Sequence, residues 1–285
     1  MLKQVQHDVS GVGVIMSKDA QFYIVPTPIG NLGDITLRAI EILKSVDVIA
    51  CEDSRTTQKL LNHYNIKTKT ISYHKFNEKQ RVKMFLDLLN EGKTVALVSD
   101  AGTPLICDPG SVLIEELRKN NIKISALAGA SALPTFLAQV PRQGEYFAFV
   151  GFLPKTEGQI FAILQKFAHT NIVFYESPNR LLKTLDYIKK FAPKSKVAVG
   201  RELTKIFEEV IVDDVQKMIE YYQTNVLKGE IVVMVYKQES AEFSQGELLE
   251  KINLLKQRKF GTKEISTILA DLYGLNKNDV YKLII

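Results

Sequence analysis

The sequence has little of the residues that build disulfide scaffolds and metal centres. Its 285 residues include no tryptophan, four histidines and two cysteines, Cys51 and Cys107, which stand far apart in the chain. Two isolated cysteines cannot form a disulfide framework, and no two histidines have the spacing of a metal-binding helix. We therefore expect a protein of a reducing compartment that needs no metal.

Long hydrophobic runs are also absent from the sequence. No stretch approaches the roughly 18 consecutive apolar residues of a membrane span, and residues 1–20 lack the basic start and apolar run of an export signal. We expect a cytoplasmic protein without a membrane anchor. A composition of 46% hydrophobic and 24% charged residues excludes collagen-like and disordered chains. The length predicts about two domains.

Positive charge is concentrated in one segment. The net charge is +5, but residues 55–83 carry eight basic residues and one acidic residue, a net +7 that leaves −2 for the rest of the chain. Three aromatic residues, Tyr64, Tyr73 and Phe76, are interleaved with these cations. This composition is typical of a surface that binds phosphates and stacks bases, and equally of a solvated helix face above core aromatics.

Strand-like and helix-like segments alternate between residues 21 and 236. Short apolar, β-branched runs predict strands at 22–26, 46–51, 94–99, 123–127, 147–152, 171–175, 196–199 and 230–236. Apolar positions three and four apart predict helices at 36–43, 81–90, 111–120, 159–167 and 178–191. The alternation predicts an α/β fold, and the number of elements favours two α/β halves joined near the AGASALP segment after Leu127.

The last 40 or so residues have a different pattern. Helical periodicity without strands predicts helices at 247–258, 262–272 and 277–283, separated by glycine-containing turns. Such helices resemble a helix-turn-helix module, and a three-helix cap packed on the preceding domain is an equal alternative. Seven basic and six acidic residues over 241–285 make a strong independent DNA-binding role unfavourable.

Three strand-end loops have the composition of ligand-binding loops in α/β proteins. The first, 25–34, contains two prolines and two glycines but neither a P-loop nor a dinucleotide fingerprint, and Asp34 or Thr36 could cap the helix that follows. The second, 99–104, either exposes backbone to a ligand or forms a tight turn. The third, 51–55, is either a self-satisfied ion-pair cluster or a site that orients a substrate hydroxyl.

Eight motifs in order resemble one enzyme family. These are VPTPIGNLGDITLRA, ACEDSRTT, SYHKFNE, SDAGTPLICDPG, GFLP, FYESPNR, VGRELTK and KGEIVVMV. They resemble the ribosomal RNA small-subunit methyltransferase I family of the tetrapyrrole-methylase superfamily, over about residues 21–238. The resemblance implies two α/β domains, 21–127 and 128–238, with a cofactor cleft between them, and a helix-turn-helix-like module at 241–285.

The resemblance also implies an activity and a set of partners. Members of the family use S-adenosylmethionine to methylate the 2′-hydroxyl of a cytidine in the decoding region of small-subunit (16S) ribosomal RNA, and the superfamily usually forms homodimers. We therefore expect ribosomal RNA or the assembled small subunit as substrate, and a homodimer. The expected cofactor-binding residues are Pro28, Asp100, Ala101, Gly102, Thr103, Ile106, Ser131, Ala132 and Tyr175.

Methyl transfer to a ribose hydroxyl needs alignment and a proton acceptor. The candidate acceptors are Asp53 and His74, with Glu52 or Glu176 orienting the ribose. The candidates for RNA phosphates are Arg55, Lys59, Lys75 and Arg81. Two alternatives remain: a methyltransferase for a small molecule such as a tetrapyrrole, and a nucleic-acid-binding regulator whose α/β part senses a ligand.

Overall fold

The protein has the α/β fold that the alternation of strands and helices predicts. A computed structural model describes residues 20–74, 77–225, 227–237, 245–273 and 275–285. Within these residues ten β-strands form two five-stranded sheets, accompanied by eleven α-helices. No helix in this part of the chain is long and apolar enough to cross a membrane.

The first sheet is parallel throughout and contains the amino-terminal five strands. The elements of this half are β1 (Phe22–Ile24), α1 (Leu37–Ser45), β2 (Val48–Cys51), α2 (Ser54–His63), β3 (Lys69–Ser72), α3 (Glu78–Asn90), β4 (Val95–Val98), α4 (Ser111–Lys119) and β5 (Ile124–Ala126). The strand order is β3-β2-β4-β1-β5, so β1, β2 and β4 are central and fully buried. Their continuous apolar sequences are typical of strands covered on both faces.

Helices cover both faces of this sheet. On one face, Ile42 of α1 and Leu61 of α2 pack on the sheet, and on the other face Phe85 of α3 and Leu113 of α4 do so. Thr36 begins α1 as its N-cap, because its hydroxyl accepts a hydrogen bond of 3.1 Å from the Ala39 amide. With both faces covered, the carboxyl ends of the strands are left for a functional site.

The second sheet is mixed and contains the remaining five strands. The elements of this half are α5 (Ala132–Leu137), β6 (Phe147–Phe152), α6 (Glu157–Lys166), β7 (Asn171–Glu176), α7 (Pro178–Phe191), β8 (Lys196–Arg201), β9 (Glu209–Asp214), α8 (Val215–Thr224) and β10 (Ile231–Val235). The strand order is β6-β7-β10-β8-β9, in which β6 and β7 are parallel and the other pairs antiparallel.

The two faces of the second sheet pack against different partners. Val233 of the central strand β10 points into a core formed with α6, α7 and α8. Its neighbour Val232 points to the opposite face, as the two-residue period of a strand requires. That second face packs against Phe136 of α5 and against Ile29 from the loop after β1. One core cluster therefore joins the second sheet to a loop of the first half.

A small helical unit follows the second sheet. It consists of α9 (Gln245–Gln257), α10 (Thr262–Tyr273) and α11 (Lys277–Ile284). These helices share a hydrophobic core of their own, in which Ile252, Ile265 and Val280 are buried. The three helices predicted here are confirmed.

The elements that the sequence prediction omitted are short or polar. They are the edge strands β3 and β9 and the helices α2, α5 and α8. The most consequential is α2, because the expected 51–55 loop is in fact a strand end followed directly by a helix that begins at Ser54.

Candidate active site

Two strand-end loops of the first sheet are joined by backbone hydrogen bonds. Thr27, in the loop after β1, and Gly102, in the loop after β4, each donate an amide hydrogen bond of 2.9 Å to the other's carbonyl oxygen. The Thr27 hydroxyl also donates to the Ser99 carbonyl oxygen at 3.1 Å. Because β1 and β4 are neighbouring parallel strands, these bonds make one continuous surface from two loops that are 70 or so residues apart.

The loop after β4 has an uncommon backbone. Gly102 has φ +76°, and its Cα faces Ile29, whose Cγ2 would lie 3.2 Å from a Cβ at position 102. Leu105 has φ +75°, a left-handed conformation that is costly for a residue with a branched side chain. Such strain persists where the surrounding structure enforces it, which is common at functional sites.

Loops of the second half complete the site. The Thr103 hydroxyl donates a hydrogen bond of 3.0 Å to the carbonyl oxygen of Ala130, just before Ser131 begins α5. Beneath this contact Gly129 packs against Pro26, where a Cβ on residue 129 would lie 2.7 Å from the Pro26 Cβ. The loops that follow β1, β4 and β5 are thus fixed to one another.

A cavity of about 430 Å³ opens between the two halves at these loops. This volume lies within the usual range of small-molecule sites, about 300–1,000 Å³. The cavity is lined by nine of the residues singled out in the sequence, namely Asp100, Ala101, Gly102, Thr103, Ile106, Ser131, Ala132, Tyr175 and Glu176. Pro28 is not among its lining residues, but its neighbour Ile29 is.

Sequence reasoning missed the part of the cavity that the second sheet supplies. These lining residues include Phe152 at the end of β6, Leu203 after β8, and Gly229, Glu230, Ile231 and Val232 at the start of β10. The GFLP, VGRELTK and KGEIVVMV motifs contain them, so the motifs marked the segments without assigning the residues a role.

Carboxylates dominate the charge of the cavity. Asp100, Asp108, Glu176 and Glu230 line it, and no lysine or arginine does among the described lining residues. Burial raises the pKa of Asp100 and of Asp108 above the ordinary value. The cavity therefore suits a ligand that carries positive charge.

Asp53 and Arg55 form an ion pair beside the cavity. Asp53 is the N-cap of α2, where it accepts a hydrogen bond of 2.8 Å from the Arg55 amide, and its Oδ2 lies 2.6 Å from Arg55 Nη2. These bonds to Arg55 lower the pKa of Asp53 to about 2. Of the two alternatives given for segment 51–55, Asp53 therefore matches the ion pair. Its carboxylate stays ionised and is a weak base.

Glu52 has the opposite electrostatic environment. Burial, followed by the charges of Asp100 and Asp108, raises the pKa of the Glu52 carboxyl, and the nearby His74 opposes this rise. Asn77 fixes the His74 loop, since its Oδ1 accepts a hydrogen bond of 2.9 Å from the His74 amide. The structure therefore places Glu52 near His74. The raised pKa of the Glu52 carboxyl suits it to the role of proton acceptor.

Glu176 is engaged by groups of its own strand end and helix. Its Oε1 accepts a hydrogen bond of 2.8 Å from the Ser177 amide, and its Oε2 accepts one of 2.7 Å from the Thr184 hydroxyl. Arg180 Nη2 lies 3.4 Å from the same Oε2. These contacts secure the buried carboxylate to the first turns of α7.

Tyr175 forms an aromatic wall of the cavity. Burial raises the pKa of its phenol to about 12, so the hydroxyl stays protonated at neutral pH. The Tyr175 ring meets Phe149 edge-on, with ring centres 5.0 Å apart. Its partner on the cavity side is Phe152, with ring centres 5.6 Å apart.

The basic segment 55–83 does not form a single surface. Arg55 and Lys59 are exposed on the first two turns of α2, close to the carboxyl ends of the strands. Arg81 is half-buried in the first turn of α3, near the same carboxyl ends of the strands. Lys67 precedes β3 and Lys69 begins it, so both lie at the opposite, amino ends of the strands.

Three further residues of this segment were singled out in the sequence. Lys75 and Phe76 lie outside the described residues. Tyr73 is buried in the core, where its hydroxyl donates to Glu78 Oε1 at 2.8 Å, so its ring is not available to stack a base.

Sequence comparison identifies the class of this protein. The profile of the tetrapyrrole (corrin/porphyrin) methylases matches residues 21–219, and the chain belongs to this family of methyltransferases. Over 91% of its length it is 41% identical to the ribosomal RNA small subunit methyltransferase I of Vibrio cholerae, covering 92% of that protein. Over 76% of its length it is 45% identical to the protein of the same name from Hydrogenobaculum sp., covering 96% of it. Within the methylases, the chain therefore belongs to the ribosomal RNA small subunit methyltransferase I family.

Solved structures of other methylases have the same fold. A cobalt precorrin-4 methyltransferase aligns with 75% of this chain and 94% of its own, with a TM-score of 0.59 and 17% identity. The uroporphyrin-III C-methyltransferase of Thermus thermophilus, in complex with S-adenosyl homocysteine, aligns with 75% of this chain and 97% of its own, with a TM-score of 0.54 and 16% identity. The predicted tetrapyrrole-methylase fold is confirmed.

The cavity fits the cofactor of this family, S-adenosylmethionine. That cofactor has a sulfonium and an ammonium group, which match the carboxylates of the lining, while Ile29, Ile106 and Leu203 provide apolar surface for a nucleoside. Small residues at 101 and 102 leave backbone amide and carbonyl groups accessible for hydrogen bonds. The protein is thus an S-adenosylmethionine-dependent methyltransferase whose described residues include no cluster arranged to hold a metal ion.

Proposed function

We propose that this enzyme transfers a methyl group from S-adenosylmethionine to the 2′-oxygen of a cytidine in the decoding region of small-subunit ribosomal RNA. The names of its relatives, which align over about nine-tenths of the chain, support ribosomal RNA as the substrate. The reaction requires a cofactor cavity, a proton acceptor near it and cations that bind a polyanion.

One chain of contacts carries this proposal. Asp100 lines the cavity, and its Oδ1 accepts a hydrogen bond of 3.1 Å from the Asp53 amide. Asp53 is in turn paired with Arg55, whose side chain is 87% exposed. An RNA phosphate bound at Arg55 would thus hold the neighbouring ribose at the acidic rim of the cofactor cavity.

The roles of the residues follow from this arrangement. The cofactor supplies an electrophilic methyl group when it is bound. Ala101, Gly102 and Thr103 present backbone to it, and Asp100 binds a cationic or hydroxyl group of it. Glu52, beside His74, accepts the proton of the ribose hydroxyl, a contribution of about 10²–10⁴ in rate. Alignment by the fixed loops contributes up to about 7–11 kcal/mol to lowering the barrier.

The remaining assignments concern the surface and the assembly of the enzyme. Arg55, Lys59 and Arg81 bind phosphates on either side of the target nucleotide, with Lys75 completing the set. We divide the chain functionally into 21–127, 128–238 and the helical module 241–285. The enzyme works in the cytoplasm, where small ribosomal subunits are available.

A homodimer is the proposed assembly. Gly30 contacts the 203–205 segment, and large apolar side chains lie exposed on both sides of that contact. Leu32 lies in the loop after β1 and Leu37 begins α1 on one side, and Ile206 and Phe207 lie on the other. Ile206 and Phe207 are 91% and 73% exposed, which is uncommon for adjacent apolar residues of a monomer. A second copy covers this surface. Sedimentation should give a dimer for the wild type and a monomer for Ile206→Asp/Phe207→Asp, and a monomeric wild type would contradict the assembly.

The decisive experiment is transfer of labelled methyl to small ribosomal subunits from cells that lack this protein. We expect one 2′-O-methylcytidine, located by ribose-specific mass spectrometry. Gly102→Val is the inactive control, because a branched side chain at φ +76° would distort the cofactor loop. Absence of label in the RNA, with cofactor binding intact, would contradict the proposal.

The second candidate is methylation of a small molecule such as a tetrapyrrole. It is favoured by the family and fold that the chain shares with corrin and porphyrin methylases. The same assay separates the two candidates, because a small-molecule enzyme would transfer label to a tetrapyrrole acceptor and not to RNA.

A further inference from the structure

A β-bulge changes the direction of the chain at the end of β6. Phe149 pairs with Val173 and Phe152 pairs with Tyr175, so three steps along β6 correspond to two along β7. Within the bulge Gly151 has φ +68°, a left-handed conformation that suits glycine. Bulges of this kind redirect a side chain next to active sites.

The redirected side chain is Phe152. It lines the cofactor cavity and yet is 59% exposed, unlike the buried aromatic residues of the core. An edge contact with Tyr175, with ring planes at 62°, holds its orientation. Tyr175 is itself held by Phe149 at an interplanar angle of 67°. A fixed aromatic ring is therefore presented to solvent at the cavity.

This ring stands at the junction of the two halves of the molecule. A Cβ on Gly151 would lie 3.5 Å from the Cys107 Sγ of the opposite half. Ile106, the neighbour of Cys107, is another exposed apolar residue of the lining. Ile106 and Phe152 thus flank the cavity from opposite halves, where a substrate would approach the cofactor.

An RNA substrate gives this exposed ring a function. Enzymes that do chemistry on a base take it out of its stack, and a ribose that enters the cleft beside the cofactor would bring its base out in the same way. The extruded base loses stacking energy unless a protein surface replaces it. Aromatic side chains replace that stacking in single-stranded RNA recognition. We propose that Phe152 is the platform on which the target nucleobase stacks, an assignment that rests on the proposed RNA substrate.

The test compares variants of the full-length enzyme on small ribosomal subunits. Phe152→Ala should reduce kcat/KM for the subunit by about 5- to 150-fold, the range of one base–aromatic stack. Its affinity for S-adenosylmethionine, measured by calorimetry, should not change. Phe152→Trp should retain most activity because it restores a ring, whereas Phe152→Leu should not.

Tyr146 provides a matched control for the loss of an exposed aromatic ring. Tyr146 is 77% exposed, immediately precedes β6 and is not among the lining residues of the cavity, so Tyr146→Ala should behave as the wild type. Unchanged activity of Phe152→Ala would overturn the assignment and leave the proposed function intact. A loss of cofactor affinity equal to the loss of activity would also overturn it, by making Phe152 part of the cofactor site. Failure of the wild type itself to methylate RNA would overturn the proposed function and this assignment together.

Discussion

Gly30 and Lys205 lie in direct contact across the two halves of the molecule. A Cβ on residue 30 would overlap Lys205 Cγ and would lie 2.8 Å from the Leu203 carbonyl oxygen. Lys205 is held in place, since its Nζ lies 2.7 Å from Glu202 Oε1 and 3.1 Å from Glu230 Oε2. The loop after β1 is thereby closed against the 202–205 segment at the edge of the cofactor cavity.

Gly30→Ala should force this contact apart. Because the overlapping atoms include backbone, we expect the free energy of unfolding to fall by about 1–3 kcal/mol and cofactor affinity to fall with it. Urea unfolding and calorimetry measure the two effects. Gly158→Ala is the matched control, as it lies in α6 with no atom within 4 Å of its Cβ position and should be neutral or stabilising. Equal behaviour of the two variants would contradict a close contact at Gly30.

The pH dependence of methyl transfer should report Glu52. A protonated carboxyl cannot accept the ribose proton, so the rate rises with pH as Glu52 ionises. Since burial raises its pKa, the midpoint should lie above the ordinary value of 4.5. Glu52→Gln should remove this limb and lower kcat about 10²-fold or more. Asp53→Asn should leave the limb in place, because Asp53 has a pKa of about 2. A pH profile that survives in Glu52→Gln would exclude Glu52 as the acceptor.

Cations at the carboxyl ends and at the amino ends of the strands in the first sheet should differ in their effect on RNA binding. Arg55→Ala/Lys59→Ala removes charge at the carboxyl ends of the strands, where the cavity lies. It should weaken RNA binding and reduce the slope of log affinity against log salt concentration by about 0.7–0.9 per lost phosphate contact. Lys67→Ala/Lys69→Ala removes the same amount of charge at the amino ends of the strands and should leave this slope unchanged. Filter binding at several salt concentrations distinguishes them, and equal slopes for both variants would refute a directional surface.

Glu176→Gln should act on stability. The substitution replaces one of the two carboxylate oxygens, which accept hydrogen bonds from Ser177 and Thr184, by an amide nitrogen that donates and cannot accept. We expect the free energy of unfolding to fall by about 1–3 kcal/mol in urea titrations. Thr184→Val, which removes one donor, should have a smaller effect of the same sign. An unchanged unfolding curve combined with lost methyl transfer would instead give Glu176 a catalytic role.

The near-neutral helical module has an uneven charge distribution. Arg258, Lys259 and Lys263 are exposed around the turn between α9 and α10, and no ion pair involves them in the described part of the chain. Arg258→Ala/Lys259→Ala should weaken RNA affinity modestly while leaving cofactor affinity unchanged. Lys277→Ala/Lys282→Ala on α11 should not. If the first pair abolished all RNA binding, this turn would be the main RNA-binding surface of the enzyme and the role given to Arg55 and Lys59 would be wrong.

Much of the fold could be predicted because its central strands are unmistakable. The apolar runs of β1, β2, β4 and β10 are buried on both faces and have no other stable location. The edge strands β3 and β9 were missed for the complementary reason, whereas the more apolar edge strands β5 and β6 were predicted. β9 reads Glu-Val-Ile-Val-Asp-Asp and is only half-buried, and acidic residues are depleted in strands.

The site was predicted best where one loop supplies several of its residues. The SDAGTPLICDPG segment supplies five predicted lining residues because most of this one loop faces the cavity. Phe152 and Glu230 were missed because their position depends on a bulge and on the packing of β10 between β7 and β8, which are tertiary features. The different environments of Glu52 and Asp53, adjacent in sequence, likewise arise from where α2 begins.

The acidic lining of the cavity also bears on turnover. Methyl transfer converts a positively charged sulfonium into a neutral thioether, so the attraction that Asp100, Asp108 and Glu230 exert on the cofactor weakens at the moment of reaction. The spent cofactor is then held less firmly than the fresh one. A pocket built from carboxylates therefore distinguishes donor from product by charge, and favours release after each methyl group has been delivered.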